Sequence, residues 1–324
     1  MSVSASVEGA AGLLTFGESM GLVSSEGFGH FAHAPRARIG FGGAESNVAI
    51  GMRRLGIPAT WASRLGDDPF GELIRRELRA EAVETLITTD TNRPTGIMVK
   101  ERTSTSRTRV MYYRSGSAAS ALTEADLPQD RLSEFEVLHL TGITAALGNE
   151  PRNAVLVAAR EARSLGVRVS FDLNYRAGLW GPLAAADFYR TMLPLVDVVF
   201  AGEDEAGLLF PNVMEPGELA TRLMDCGAAE AVVKRGERGA WAKSGDDEEH
   251  APARPARVVD SVGAGDSFVA GYLAELLRGT DLSGRLRVAT TAGSLTCETL
   301  GDWEGAPTSA EVDRAHALVD PVQR

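Results

Sequence analysis

The chain has 324 residues, of which 44% are hydrophobic and 24% are charged, and it carries a net charge of −11 at pH 7. This length and composition supply enough apolar residues for the core of one large α/β domain. A diffusely acidic surface repels the phosphate backbone of nucleic acids, so we expect no general nucleic-acid binding.

The cysteines and lysines are rare in this sequence, and the cysteines bear on disulfides, metal sites and cellular location. The two cysteines, Cys226 and Cys297, fit neither a disulfide framework nor the spacing of a zinc site. Isolated thiols suit a reducing compartment, so we expect a cytoplasmic location. Lysine occurs at only three positions (Lys100, Lys234 and Lys243) among many arginines, a bias that we attribute to genome composition.

The sequence predicts no membrane attachment. No apolar run reaches the ~18–20 residues that a membrane-spanning helix needs. The run at 192–201 is short and contains Pro194 and Asp197. Residues 1–12 are small and polar without a positive cluster, which favours a disordered tail over a signal peptide.

Secondary-structure patterns in the first third of the chain alternate between β and helical character. Val48, Met52 and Leu55 recur at helical spacing, and Gly56 ends that helix. The predicted elements, in chain order, are a strand at 13–16, short strands and loops at 21–42, a helix at 44–55, a strand at 60–65, a helix at 70–78 and β structure at 94–114. Two β-rich segments, at about 19–41 and 93–114, predict a small β lid.

The remaining chain alternates strands with helices. Predicted strands lie at 137–140, 167–173, 196–201 and 231–235, and predicted helices at 151–165, 219–225, 262–277 and 282–300. Such alternation predicts an α/β fold, with a mainly parallel sheet covered by helices on both faces. We expect residues 13–324 to form one domain that includes the lid. The acidic run at 246–249 predicts a solvated turn.

A glycine-rich loop before the helix at 262–277 carries the strongest chemical signal. Gly263, Ala264 and Gly265 let the backbone approach a ligand closely, and the free N–H groups and dipole of the helix favour phosphate oxygens. Asp266 would repel a phosphate unless it faces a second substrate and takes a proton from an attacking hydroxyl. The simpler alternative is that Asp266 caps the helix. The loop matches neither a Walker A motif nor a dinucleotide-binding fingerprint.

This segment, DSVGAGDSF at 260–268, resembles the C-terminal signature of the ribokinase (PfkB) family of carbohydrate kinases. The segment GGAESNVA at 42–49 is similar to the N-terminal signature of that family, and the resemblance spans roughly 13–305. It implies a ribokinase-like fold, phosphorylation of a small sugar or sugar acid by ATP, and Asp266 as the catalytic base that also contacts the substrate.

The resemblance also implies which residues bind the sugar. Gly42 and Gly43 are expected to leave room for a polyol beside the backbone. Asn47 lies in the first turn of a predicted helix, where its amide can bond to sugar hydroxyls or act as a local cap.

On the nucleotide side, the segment KRGERG at 234–239 resembles the nucleotide loop of the family, with Lys234, Gly236 and Gly239 as binding residues. Lys234 is either near the phosphates or an exposed lysine at a strand end. Glu205 matches the acidic residue of an Asn-x-x-Glu element that organises Mg²⁺ through water, although Gly202 stands where asparagine is usual. ATP and Mg²⁺ are therefore the implied cofactors, and activation by a monovalent cation stays open.

Three segments resemble the 2-keto-3-deoxygluconate kinases of this family. They are Tyr112-Tyr113-Arg114, Asp172-Leu173-Asn174-Tyr175-Arg176 and Gly301-Asp302. An acid substrate carries a carboxylate that a guanidinium binds with two hydrogen bonds, so Arg114 and Arg176, with Tyr112, are the candidates. The alternative for Arg176 is a surface salt bridge.

Other functions stay open at this point. Ile97-Met98 occupies the place where these kinases have a further tyrosine, which leaves a fructokinase or another sugar kinase as the alternative. A non-catalytic sensor of sugar or nucleotide is the alternative of another class. The lid offers a face for pairing, so we expect a homodimer.

Overall fold

The computed structural model describes residues 12–33, 36–104 and 107–319. Except for Gly12, the predicted tail at 1–12 lies outside the described residues. The strands are β1 (Leu13–Phe16), β2 (Met20–Ser25), β3 (Ala37–Gly42), β4 (Ala59–Gly66), β5 (Glu84–Asp90), β6 (Ile97–Ser104), β7 (Arg107–Tyr113), β8 (Val137–Thr141), β9 (Arg168–Asp172), β10 (Val198–Gly202), β11 (Glu230–Lys234), β12 (Ala240–Ser244) and β13 (Asp247–Ala251). The α-helices are α1 (Ala44–Arg54), α2 (Pro69–Ala80), α3 (Gly142–Ala146), α4 (Asn149–Ser164), α5 (Pro182–Met192), α6 (Glu203–Gly207), α7 (Pro216–Asp225), α8 (Ala264–Leu277), α9 (Leu282–Thr296) and α10 (Ser309–Val319).

A nine-stranded sheet forms the centre of the molecule, in the order β13-β12-β11-β10-β9-β8-β1-β4-β5. From β11 to β5 all neighbouring strands are parallel, and β12 and β13 add antiparallel strands at one edge. Strand β8, in the interior of the sheet, is buried along its whole length, as expected for a parallel strand with helices on both sides. One core cluster packs under α4, α5 and α7, and the other under α1, α2, α8 and α9. The predicted fold class is confirmed.

A second, four-stranded sheet has the order β3-β2-β6-β7 and matches the predicted small lid. Its strands come from two segments that are separated along the chain by α1, β4, α2 and β5. Met20, Leu22 and Met98 pack together on its inner face, with Val110 against them. We call this element the small sheet.

Several elements differ from the sequence-based expectation. The acidic run at 246–249 does not form a turn, because all but its first residue belong to β13, an exposed edge strand. Trp241 stacks on His250 of β13 and donates a hydrogen bond to Glu248 at 2.6 Å. An edge strand open to solvent needs no apolar alternation, so its pattern resembles that of a turn. The last predicted helix ends at Thr296 rather than at 300.

Helices α1 and α8 pack unusually closely. A Cβ atom added at Gly51 would lie 2.6 Å from the Cβ of Ala270, so the absence of a side chain at Gly51 sets the distance between the two helices. The helices therefore hold the two glycine-rich segments, which immediately precede them, side by side. None of the helices in the described part of the chain has the length and apolar character that a membrane crossing requires.

Candidate active site

The two glycine-rich segments meet at a cavity of about 460 Å³ between the small sheet and the carboxyl ends of the central strands. This is the edge where ligands bind in open parallel sheets. The predicted residues that line the cavity are Gly42, Gly43, Asn47, Tyr112, Arg114, Arg176, Glu205, Lys234, Gly263, Gly265 and Asp266. We call this cavity the inner chamber.

Asp266 lies in the first turn of α8 but does not cap it. The N-cap residue is Gly263, and no side chain caps the helix. Instead, the Oδ2 atom of Asp266 accepts a hydrogen bond of 2.8 Å from Nδ2 of Asn47. The capping alternative for Asp266 is therefore wrong. Asn47 also accepts a long bond of 3.4 Å from the N–H of Gly43, a local contact at the start of α1, and its bond to sugar hydroxyls stays a prediction.

Burial raises the pKa of Asp266 to about 7, and the negative charge of Asp172 adds to this effect. The hydrogen bond from Asn47 and the charges of Arg176 and Lys234 act in the opposite direction. The carboxyl group keeps access to the inner chamber, while protein surrounds it on its other sides. A carboxyl group that titrates near neutral pH is well suited to accept a proton from a hydroxyl.

Gly263 and Gly265 serve the loop in different ways. Gly263 has φ 76°, and a side chain there would collide with the carbonyl oxygen of Asp302. At Gly265 the nearest atom to an added Cβ is Nζ of Lys234, at 4.0 Å. The N–H groups of the first helical turn lack intrahelical partners by position. They line an open space next to a lysine, which is an arrangement suited to an anion.

The reason predicted for Gly42 and Gly43 is wrong, although both residues line the inner chamber. A Cβ at Gly42 would collide with the carboxyl group of Asp302, and one at Gly43 with the backbone of Glu18. Protein atoms thus fill the space that we had assigned to a polyol. These glycines allow close packing of the chamber wall.

Lys234 is not an exposed lysine at a strand end, because its side chain is only 18% exposed. Its Nζ atom donates to both carboxylate oxygens of Asp172, at 2.8 and 2.6 Å. Burial acts to lower the pKa of Lys234, but the charges of Asp172 and Glu205 outweigh it and raise the pKa above its ordinary value. Lys234 therefore holds a positive charge at the end of β11.

Glu205 accepts hydrogen bonds from the N–H groups of Gly202 at 2.6 Å and Tyr175 at 2.9 Å. Burial raises its pKa, and the charge of Lys234 opposes that shift. Within the described residues, no three His, Cys, Asp or Glu side chains are grouped to hold a metal ion. Asp172 and Glu205 nevertheless place two carboxyl groups beside Lys234.

A second cavity of about 620 Å³ lies behind the glycine loop. We call it the outer chamber. It is lined by Gly236 and Gly239, the residues that the sequence assigns to nucleotide binding, and by Ala264. Lys234 and Gly265 line both chambers, so the glycine-rich loop at 260–265, which we call the anion-binding loop, lies at their junction.

The two candidate arginines differ in their surroundings. Arg114 is buried, and its Nε donates to Glu18 at 2.7 Å, while Ser117 donates to the other oxygen of Glu18. Arg176 is exposed to the inner chamber and bonds to the carbonyl oxygen of Tyr175. Arg176 pairs with none of the acidic side chains in the described ranges, so the salt-bridge alternative is wrong. The ring of Tyr112 lies 5.7 Å from the guanidinium of Arg114.

Sequence reasoning missed several residues of the inner chamber. Glu18 follows β1 at the carboxyl edge of the sheet, and that position could have indicated it. Lys100 is buried against Asp260, with Nζ at 2.6 Å from Oδ2. Two of the three lysines line this chamber, so their rarity was a signal. Asn174 is buried with φ 39°, a backbone conformation that the sequence does not reveal.

Taken together, an anion-binding helix terminus between two chambers and a titratable carboxyl group on one side define a phosphotransferase that acts on a hydroxyl. The chain belongs to the pfkB family of carbohydrate kinases. The sequence model of this family, described as "pfkB family carbohydrate kinase", matches residues 13–309. The predicted family and the predicted enzyme class are confirmed.

Individual relatives agree with this assignment. The chain is 35% identical to a 2-dehydro-3-deoxygluconokinase of Bacillus subtilis, with 91% of this chain and 92% of the relative covered. It is 34% identical to a fructokinase of Salmonella typhimurium, with coverages of 84% and 91%. The crystal structure of a 2-dehydro-3-deoxygluconokinase from Thermotoga maritima matches with a TM-score of 0.89 and 26% identity, covering 95% and 98% of the two chains.

The bond between Asn47 and Asp266 gives a first testable prediction. Because an amide donor stabilises the ionised carboxylate, Asn47→Leu should raise the pKa of Asp266. A charge-assisted hydrogen bond contributes about 1.5–3 kcal/mol, so the titration midpoint should move up by roughly 1–2 pH units. Carboxyl ¹³C NMR of labelled aspartate would measure it, with exposed Asn212→Leu as the control. An unchanged midpoint in a folded Asn47→Leu protein would contradict this account.

Proposed function

We propose that the protein transfers the γ-phosphoryl group of ATP to the C6 hydroxyl of 2-keto-3-deoxygluconate, the compound also named 2-dehydro-3-deoxygluconate. The observation that carries this proposal is Arg176, a guanidinium that pairs with no acidic side chain of the described residues and faces the same chamber as Asp266. The other cations of this chamber, Lys100, Arg114 and Lys234, are paired with carboxylates, so a free cation there suits a substrate with a carboxylate. The Bacillus subtilis and Thermotoga maritima relatives carry the name of this activity.

Asp266 is the proposed catalytic base. Its Oδ2 atom is engaged by Asn47, which leaves Oδ1 to accept the proton of the substrate hydroxyl. As that proton moves to Asp266, the hydroxyl oxygen forms a bond to the γ-phosphorus, and the bond between the γ-phosphorus and the ADP oxygen breaks. This role also argues against a non-catalytic sensor.

The phosphate groups of ATP are proposed to lie at the junction of the chambers. The N–H groups at Gly263, Ala264 and Gly265 and the ammonium of Lys234 would stabilise negative charge there. Gly236 and Gly239 would line the nucleotide in the outer chamber. This arrangement places the transferred group between ADP and Asp266.

The residues present also fit Mg²⁺, a proposed cofactor. Mg²⁺ keeps several waters and usually takes one or two carboxylates plus substrate phosphates, and Asp172 and Glu205 line the chamber beside Lys234. They would hold the ion through water. When bound, the ion neutralises charge on the phosphate oxygens.

For the sugar acid, Arg176 is the proposed primary contact of the carboxylate, with Arg114 and Tyr112 beside it. Gly42, Gly43 and Asn47 would form another part of the chamber wall. One observation favours a second candidate: Glu18 already engages two nitrogens of Arg114, which reduces the charge available to an acid. A neutral sugar such as fructose would need less positive charge, and the Salmonella typhimurium relative is a fructokinase.

We also propose a cytoplasmic homodimer that pairs through the outer face of the small sheet. A row of apolar residues crosses all four strands there: Ile39, Val23, Val99 and Met111. Ile39 is 68% exposed. A second copy presents the same apolar row, which makes it a suitable partner. The half-buried free cysteines support a reducing compartment.

Ile39→Glu should give monomers in light scattering at concentrations where the wild type is dimeric, and an unchanged mass would exclude this interface.

The catalytic role of Asp266 gives the next prediction. Asp266→Asn keeps the shape and the contact with Asn47 but removes the proton acceptor. We expect kcat to fall by about 10²–10⁴-fold, with little change in the Kd of ATP. Steady-state kinetics on 2-keto-3-deoxygluconate would measure it, with exposed Asp187→Asn as the matched control. Activity within threefold of wild type would exclude Asp266 as the base.

Substrate choice is tested at Arg176. Arg176→Lys keeps the charge but removes the planar fork, so kcat/KM for 2-keto-3-deoxygluconate should fall by about 10–150-fold, while that for fructose changes much less. The measurement compares both substrates in wild type, Arg176→Lys and exposed Arg160→Lys. Equal losses on both substrates would show that Arg176 serves the phosphates instead. A wild type that prefers fructose would move the assignment to fructokinase.

A further inference from the structure

Lys100 is a buried lysine of the small sheet that reaches across to the phosphate side of the site. Its side chain is 5% exposed. Its Nζ atom lies 2.6 Å from Oδ2 of Asp260 and 3.5 Å from Oδ1 of Asp302, whose side chains are 8% and 7% exposed. Within the described residues, neither carboxylate forms an ion pair with any other cation.

Both carboxylates belong to segments that shape the anion-binding loop. Asp260 opens this loop, and its Oδ1 atom accepts a bond of 3.3 Å from the N–H of Val262, the residue before Gly263. The carbonyl oxygen of Asp302 packs directly on Gly263. The ammonium of Lys100 therefore lies between the two segments that fix the position of Gly263.

A second residue of the same strand supports this connection. Arg102, two residues along β6, donates to the carbonyl oxygen of Val259 at 3.2 Å, the residue immediately before Asp260 at the start of the loop. On the same strand, Met98 lines the inner chamber together with Lys100. One strand thus contacts the proposed substrate space and the loop that precedes α8.

The contact of Lys100 with Asp260 and Asp302 is energetically important because its charges are buried. A lysine removed from water is stabilised only by its partners, and removing one member of a buried pair leaves an uncompensated charge. The position of β6 and the position of the loop are therefore linked: moving the small sheet away would expose or separate charges that are paired in this structure.

We propose that Lys100 is a positioning residue that couples the small sheet to the anion-binding loop, so that a sugar under the sheet strengthens binding of the nucleotide at the loop. The second half of this inference rests on the proposed kinase function, whereas the link between sheet and loop does not. By thermodynamic linkage, the nucleotide strengthens binding of the sugar by the same factor. Lys100 acts through Asp260 and Asp302 and is not itself a catalytic residue.

The first experiment needs no ligand. Lys100→Met keeps the aliphatic stem and removes the charge, which frees Asp260 from the position in which it accepts from Val262. Hydrogen exchange of the Val262 amide in the ligand-free protein should become at least about tenfold faster, while core amides keep their protection. Arg109→Met, an exposed change on β7 of the same sheet, should leave it unchanged. Unaltered exchange at Val262 in Lys100→Met would overturn the link, whatever the substrate.

The second experiment measures coupling by calorimetry with Mg²⁺ and a non-hydrolysable ATP analogue, with and without the sugar that wild type phosphorylates best. We expect the sugar to lower the Kd of the analogue at least about fivefold in wild type, a typical coupling, and to leave it nearly unchanged in Lys100→Met. Asp260→Asn should give the same loss, and the double variant should add nothing further. Asp260→Asn also tests the proposal if Lys100→Met does not fold.

The outcomes separate this inference from the proposed function. Coupling that persists in either variant, or that is absent from wild type, would overturn the role of Lys100. A Lys100→Met protein that loses sugar affinity but keeps the coupling would show direct substrate binding instead. Failure of wild type to phosphorylate 2-keto-3-deoxygluconate would overturn only the proposed substrate, because the exchange of Val262 is measured without it.

Discussion

The site depends on one hydrogen bond between side chains that are 219 residues apart in sequence, from Asn47 to Asp266. This bond can form only if α1 and α8 begin at the same end of the sheet and lie close together. Gly51 makes that approach possible by presenting no side chain to Ala270. Once the two helix starts are fixed, the carboxyl group of Asp266 faces the inner chamber, and the loop before α8 faces the junction. The division into two chambers follows from this geometry.

The charges around the inner chamber follow a consistent pattern. Glu18 pairs with Arg114, Asp172 with Lys234, and Asp260 with Lys100. In the described structure, Asp266 and Arg176 have no oppositely charged partner at salt-bridge distance, and both face the chamber. Paired charges hold side chains in place before a substrate arrives, which is the arrangement that electrostatic catalysis requires. Glu205 also lacks such a partner among the described residues, but it accepts two backbone hydrogen bonds. Asp266 and Arg176 are the groups to which we assign proton transfer and recognition of the acid.

Local sequence patterns predicted much of this architecture. The loop at Gly263 and Gly265 has a distinct composition and lies before a long apolar helix, so its structure could be predicted directly from the sequence. Strand β5 was missed because its residues are mostly half-buried or exposed, which removes the apolar signal. Lys100 and Glu18 were missed for another reason: their importance arises from partners that are distant in sequence, and no periodicity encodes such pairs. Gly42 was interpreted as leaving space for a ligand, whereas it allows tight packing. The sequence cannot separate these two roles, because each requires a residue without a side chain.

The construction of the small sheet has a consequence for how the protein folds. Its parallel pair joins Gly21 to Ile97, and the chain between them builds β3, α1, β4, α2 and β5, of which β4 and β5 belong to the large sheet. This loop is shorter than the one closed where β1 pairs with β8, Leu13 with Val137, and contacts that close longer loops are expected to form later. The small sheet can therefore pair before the centre of the large sheet does. Lys100 reaches Asp260 across 160 residues of sequence, so a nascent chain would complete the small sheet before that sheet could join the loop in front of α8.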